Sequence, residues 1–428
     1  MTLARLQAAW QRSDRLFDLL DDEAWLEQPI ALRQPLIFYL GHLPAFAWNH
    51  VGRGPLGEAC LDPQLDRLFA RGIDPVGVDA YVPQATWPER AALIDYRDRV
   101  RSRLRDALSD PGFPREGLPV VEMVIEHELM HHETLLYMFQ ELDHALKRRP
   151  PDWPTLPDAG EEQRRRSIEV PAGELALGAA RGSLVFGWDN EFPQQRVHVP
   201  SFTIDERPVT NAEMLEFVRD GGYEDARLWR EADWAWRERL RLTQPHGWSC
   251  GSAGLRVRGL LEDVPFERAR HWPASVSWAE ASAYTRWRGA RLPSEAEWQR
   301  AARGTPEGAE RRWPWGEEPP AAQHGNFHFR SGSPLPVCAR PAGASAWGVQ
   351  ELVGNGWEWT GTAFAPFPGF EPLVRYPGYS ADFFDGRHLV LLGASWATDE
   401  TLLRPSFRNW FQPHYPYVFS KFRCVSSR

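Results

Sequence analysis

Apolar positions recur at helical spacing through the first third of the chain, then give way to short alternating runs broken by glycine and proline. Four stretches keep apolar residues three to four positions apart, the pattern of helices with one buried face: roughly 3–20, 34–51, 88–108 and 118–147. The second reads Gln34-Pro-Leu-Ile-Phe-Tyr-Leu-Gly-His-Leu-Pro-Ala-Phe-Ala-Trp; in the third, Pro88 suits a first turn and Leu104 and Leu108 repeat at four. Together they predict a four-helix bundle over 1–147, a scaffold whose side-chain core can house a metal site. The connection over about 51–86 is long for a compact domain, which marks it as functional or partly ordered.

Residues 148–167 are rich in proline and charge and read as a linker, with the arginines at 164–166 in solvent. Beyond it, Arg196-Val-His-Val and Phe202-Thr-Ile-Asp alternate as strands do, and helical patches stand out near 210–220 and 278–303. The 21 Trp, 37 Pro and 34 Gly are concentrated after residue 170 and predict an irregular domain of aromatics among turns. No internal repeat is visible.

Composition narrows the function classes. A chain of 428 residues, 43% hydrophobic and 25% charged, is a soluble globular protein of more than one domain. It has no run of about 18 apolar residues, and Met1-Thr-Leu-Ala-Arg-Leu lacks the order of a signal peptide, so a cytoplasmic protein without a membrane partner is expected. A net charge of -9 without a basic stripe argues against nucleic acid. Cys60, Cys250, Cys338 and Cys424 are too scattered for a zinc ribbon or a disulfide framework and read as reduced thiols.

The chemistry concentrates in the fourth helix. His127 and His131 are one turn apart, and Val120, Val124, Leu135, Met138 and Leu142 fall on roughly the same stripe, so both imidazoles should face the core. Such a pair suits a divalent metal, and hydrogen-bonded core histidines account for the spacing equally well. His127-Glu128-x-x-His131 also satisfies the zinc metallohydrolase motif with Glu128 as general base, although that motif is short and recurs by chance, a zincin's third ligand usually follows downstream, and no peptide-binding edge strand is evident beside this helix. A sugar-binding or scaffolding protein is the non-enzymatic reading, against which stands the cost of burying histidines without partners.

Separated strings in the second half are weak singly and specific together: Pro208-Val-Thr-Asn-Ala-Glu-Met, Arg291-Leu-Pro-Ser-Glu-Ala-Glu-Trp298, Gly348-Val-Gln-Glu-Leu-Val-Gly-Asn-Gly-Trp-Glu-Trp-Thr360, Gly393-Ala-Ser-Trp396 and Phe422-Arg-Cys-Val425. Residues 168–428 resemble the formylglycine-generating-enzyme domain, which implies an α+β, C-type-lectin-like fold with Trp298, Trp357 and Trp359 as core anchors. Formylglycine generation itself is not expected, because Cys338 and Cys424 lie too far apart in sequence to form that family's local copper-binding pair.

A DinB-like four-helix bundle joined to such a domain resembles the nonheme iron enzymes of ergothioneine-type biosynthesis. Their motif corresponds to His127-Glu-Leu-Met-His131-His-Glu133, with the third ligand in a Leu-x-His context that is Leu40-Gly-His42 here. The resemblance implies Fe(II) on His42, His127 and His131, with O2 as co-substrate. His132 points about 100° from His131 and His50 lies about two turns past His42, so neither joins the ligand set. Three neutral imidazoles leave the metal its full charge and three open octahedral positions; zinc fits the same residues, and the resemblance decides for iron.

The family's substrate is hercynine, the trimethylated betaine of histidine, whose cation suits an aromatic cage. The matching positions are Asn409 and Trp410, with Tyr379 and Tyr376 as candidate catalytic proton donors; packing tyrosines on a loop is the plainer reading of the last two. Two departures bear on the second substrate. Thiol-using members place an acid after the Asn-Trp pair where this chain has Phe411, and arginines in a segment whose counterpart, residues 76–85, has none. Charged groups of an amino-acid thiol thus lose their partners. A neutral selenosugar, 1-seleno-glucose, needs hydrogen bonds and stacking instead, which Tyr81, Phe411, His414 and Tyr415 can supply. The chain therefore most resembles the selenoneine-forming branch; the alternative is a hercynine sulfoxide synthase using gamma-glutamylcysteine or cysteine.

Overall fold

The computed structural model describes residues 2–70, 87–252 and 254–426, and divides into two compact units: Met1–Pro151 with Leu184–Gly187, and Asp152–Ser183 with Trp188–Arg428. Tyr81 and the arginine-free stretch 76–85 lie outside the described residues.

The first unit is helical: α1 (Thr2–Phe17), α2 (Leu36–Ala47), α3 (Pro63–Leu68), α4 (Arg90–Ser109) and α5 (Leu118–Glu141). All twelve residues of α2 are buried, as expected of a helix that is apolar on every side and packs against both α4 and α5. It holds Pro44 and runs on into a π-helical turn, Trp48–Gly52. The stripe Val120, Val124, Leu135, Met138 and Leu142 is buried throughout, so the periodicity of α5 was a true guide to its core face. Two expectations need correcting. α5 stops at Glu141, because Leu142 turns extended and Asp143 caps a separate short turn, His144–Leu146. The long second connection carries a helix of its own, α3, started by Asp62, whose carboxylate accepts from the Gln64 and Leu65 N–H groups.

The second unit is α+β. Its strands are β1 (Ser167–Val170), β2 (Gly173–Leu177), β3 (Gln195–Val199), β4 (Phe202–Asp205), β5 (Trp248–Gly251), β6 (Gly254–Arg258), β7 (Asp263–Pro265), β8 (Gly356–Ala363), β9 (Leu389–Ala394), β10 (Asn409–Phe411), β11 (Ser420–Lys421) and β12 (Val425–Ser426). Its helices are α6 (Asn211–Arg219), α7 (Glu231–Leu240), α8 (Phe266–Ala269), α9 (Trp278–Trp287), α10 (Glu295–Arg303) and α11 (Gly378–Ala381). The central sheet runs β10-β9-β8-β11, antiparallel except where β11 pairs with β8; β1-β4-β12 and β5-β6-β7 form antiparallel three-stranded sheets and β2-β3 a hairpin. A core of Val170, Phe202, Ile204, Trp298, Leu352, Val390 and Leu392 joins α10 to these sheets. Trp298, Trp357 and Trp359 are all buried, as anchors should be.

Two of the family strings, those at 208–214 and 291–298, hold helix caps. Thr210 with Glu213, Ser277 with Glu280 and Ser294 with Glu297 each form a reciprocal capping box at the starts of α6, α9 and α10. The helical patch expected over 278–303 is two helices, because Gly289 takes a left-handed φ of 66° and Pro293 precedes the new cap at Ser294. α7 was not foreseen. Arg165, expected in solvent, is largely buried and pairs with Asp205 and Glu213. All four cysteines are free thiols, and among the described residues no helix is long and apolar enough to cross a membrane.

Candidate metal centre

His42 on α2 and His127 and His131 on α5 point their Nε2 atoms at one another. The His127 Nε2 lies 3.2 Å from the His42 Nε2 and 3.2 Å from the His131 Nε2. Nitrogens bonded to one cation at about 2.0–2.1 Å, with angles between octahedral and tetrahedral, sit about 3 to 3.4 Å apart, so the spacing fits. The rings are held from behind. His42 stacks on Phe38 (5.1 Å, 15°) and His127 on Phe46 (3.5 Å, 5°). The His42 Nδ1 donates to the Phe69 carbonyl at 2.8 Å, which leaves the lone pair on Nε2.

Electrostatics favour the ligating form. Burial, with the neighbouring histidines adding to it, pushes His127 well below the ordinary histidine range; His131 is pushed down by burial, His42 and Arg33. Burial lowers His42 to about 4 against the opposing Phe69 hydrogen bond. Neutral imidazoles so placed can turn their Nε2 lone pairs to one divalent cation. These three are the one cluster among the described residues whose ligand atoms converge, all within 4.8 Å, and it includes no carboxylate.

The neighbouring residues sort cleanly. Glu128, the general base of the hydrolase reading, is turned toward α1, where Ser13 Oγ donates to its Oε1 at 2.6 Å; burial raises its pKa. His132 is fully buried, with Nε2 2.8 Å from the same Ser13 Oγ. The His50 ring sits 4.2 Å from Phe46, in the π turn after α2. Phe69, Phe46 and Ser13 were missed by sequence reasoning. A carbonyl acceptor leaves no mark on residue type, whereas Gly41 was a usable signal: a Cβ there would come within 2.5 Å of the Phe69 ring.

In the second unit the sequence-predicted residues gather in two groups. Trp410 on β10 stacks on Phe364 (4.2 Å, 7°) and meets Tyr379 edge-on (5.3 Å, 84°), while Tyr376 lies 5.7 Å from Tyr379. Tyr379 also stacks on Trp188 at 3.8 Å, and its short helix α11 is pinned by Ser380, which donates to Asp189 and accepts from Asn190. The Asn409 Oδ1 accepts from the Trp410 N–H at 2.9 Å. Phe411 stacks on Tyr415 (4.9 Å, 10°). His414 is paired to the buried Asp233 at 2.9 Å and lies flat on Trp236. Both partners belong to α7, the helix the sequence did not announce.

Residues 5–135 match the DinB superfamily, and residues 154–428 the sulfatase-modifying factor enzyme 1-like domain. End to end, the chain is 37% identical over 448 residues to a protein of Mycolicibacterium smegmatis named hercynine oxygenase, covering 99% of this chain and 98% of that one. A protein of the same name from Mycobacterium tuberculosis is 38% identical, covering 99% and 97%. The chain belongs to the hercynine oxygenase family. Within this family assignment, the likeness to a formylglycine-generating enzyme of Mycobacterium tuberculosis is partial: 31% identity over 243 residues, covering 48% of this chain and 76% of that one. The histidine cluster lies in the bundle, ahead of the residues that match the sulfatase-modifying factor domain.

Proposed function

We propose that this chain is an Fe(II)- and O2-dependent oxidoreductase that acts on hercynine and joins it to a chalcogen donor, with the neutral selenosugar 1-seleno-glucose as that donor. The observation that carries the reading is the triad of buried His42 and His127 and half-buried His131, whose ring nitrogens converge within 4.8 Å, in a chain that belongs to the hercynine oxygenase family. Iron held there would supply dioxygen chemistry that no side chain can perform. The protein's own residues do the rest. The triad would hold the metal, Trp410 and Asn409 recognise the trimethylammonium and betaine groups, and Tyr379 or Tyr376 supplies a proton.

The donor assignment rests on charge. Phe411 offers a ring stacked on Tyr415 where an acid would hold an amino group, and an uncompensated charge in a partly buried site costs several kcal/mol, enough for about a hundredfold preference. The aromatic pair Phe411 and Tyr415 instead suits the apolar face of a sugar. A sulfur donor is the second reading, favoured by the match to a Neurospora crassa protein named ergothioneine biosynthesis protein 1, 30% identical over 99% of this chain and 57% of that one. Iron-loaded protein, hercynine and air are incubated with equal 1-seleno-glucose and gamma-glutamylcysteine, and the products read by mass spectrometry. A predominant C–Se product is expected; a predominant sulfoxide replaces the selenium reading with the sulfur one.

A further inference from the structure

α3 is six residues long, too short to hold a position by helix formation alone, yet it decides where the Phe69 carbonyl sits. Its anchor is Asp66, a carboxylate only 3% exposed. The Asp66 Oδ1 accepts from the buried Tyr96 hydroxyl of α4 at 2.6 Å, and its Oδ2 accepts from the Leu61 N–H at 3.0 Å. The Asp66 carbonyl accepts from Asn49 Nδ2 at 3.0 Å, so the same residue is also tied to the π turn that follows α2. Phe69 lies within a turn of this anchor. Its N–H donates to the Leu65 carbonyl, its ring covers Gly41, and its carbonyl accepts from His42.

We propose that Tyr96 and Asp66 are positioning residues for the metal centre: they fix α3 so that the Phe69 carbonyl holds the His42 ring with Nε2 turned toward His127 and His131. This rests on the metal reading of the triad and adds to it residues that touch neither metal nor substrate. A carbonyl that accepts from a ligand's far nitrogen sets both tautomer and ring orientation, and losing such support weakens metal affinity about 10- to 100-fold. A backbone acceptor cannot be removed by substitution, which makes Tyr96 the handle on it. Tyr96→Phe deletes one hydroxyl from a bond to a buried carboxylate and leaves the ring in place.

The test is anaerobic titration of the full-length protein with ferrous iron, alongside the visible absorption spectrum of the cobalt(II)-loaded form. Tyr223→Phe is the control, because it removes a bond of the same kind, the 2.5 Å hydrogen bond to the buried Glu280, in the second unit. Tyr96→Phe is expected to weaken iron binding about tenfold or more and to shift the cobalt spectrum, while Tyr223→Phe keeps native affinity and spectrum at a comparable loss of thermal stability. Asp66→Asn, whose one amide oxygen cannot accept from both Tyr96 and the Leu61 N–H, should weaken iron binding as well, and it carries the test if Tyr96→Phe fails to fold. Native affinity and spectrum in Tyr96→Phe, or an equal loss in Tyr223→Phe, overturns the proposal. Absence of iron binding by the native protein would instead overturn the metal reading itself.

Discussion

His127 is the residue on which the site turns. Its Nε2 lies 3.2 Å from the Nε2 atoms of both His42 and His131, and its ring is clamped flat against Phe46. His127→Ala should lose at least about a hundredfold in iron affinity, beyond the loss of a merely supporting partner, with the helical circular dichroism of the native protein retained. Full iron content in that variant would remove the triad from consideration. At Trp410 the expected effect is smaller. One face of its indole is already covered by Phe364, so a cation can use only what remains. Trp410→Ala should weaken hercynine binding by about 1 to 2 kcal/mol and leave plain histidine almost unaffected, as calorimetry would show. Equal losses for the two ligands would mean that Trp410 does not read the trimethylammonium group.

Elements show what a sequence can and cannot announce. The core-facing placement of the histidine pair on α5 was legible because helical periodicity assigns a face, and the same stripe that buries Val124 and Met138 buries His127. His42 was not derivable from periodicity, since α2 is apolar on every side and has no distinguishable face; resemblance alone picked it out. Chain ends of helices fared unevenly. Capping boxes at Ser277 and Ser294 mark two starts, but the gap between α9 and α10 was read through because Gly289 and Pro293 stood inside otherwise helical spacing. Arg165 shows the opposite error, since a run of arginines looks solvated until the acids that receive one of them, Asp205 and Glu213, arrive from far along the chain. The caps also make a stability prediction. Ser294 accepts from the Glu297 N–H while Glu297 bonds back, so Ser294→Ala should cost about 1 kcal/mol. A thermal midpoint a few degrees lower, with iron affinity unchanged, is the outcome to look for in a melt; an unchanged midpoint would show that packing alone holds α10.

At the scale of the whole molecule, the histidines proposed to hold iron belong to the first unit, and the aromatic and amide groups proposed for hercynine belong to the second. A histidine triad by itself does not choose iron over zinc, and an aromatic cluster by itself does not choose hercynine. Their occurrence in one chain, with relatives matching it from end to end, is what makes the combined reading specific. The central claim is therefore a conditional one: oxygen chemistry that needs iron and hercynine at once. It is tested most directly by measuring dioxygen uptake by the full-length protein in the presence of 1-seleno-glucose, with iron, zinc or no metal, and with or without hercynine. The account predicts uptake only when iron and hercynine are both present, matched mole for mole by a C–Se product. Uptake that ignores hercynine, or product formed equally well with zinc, would contradict it.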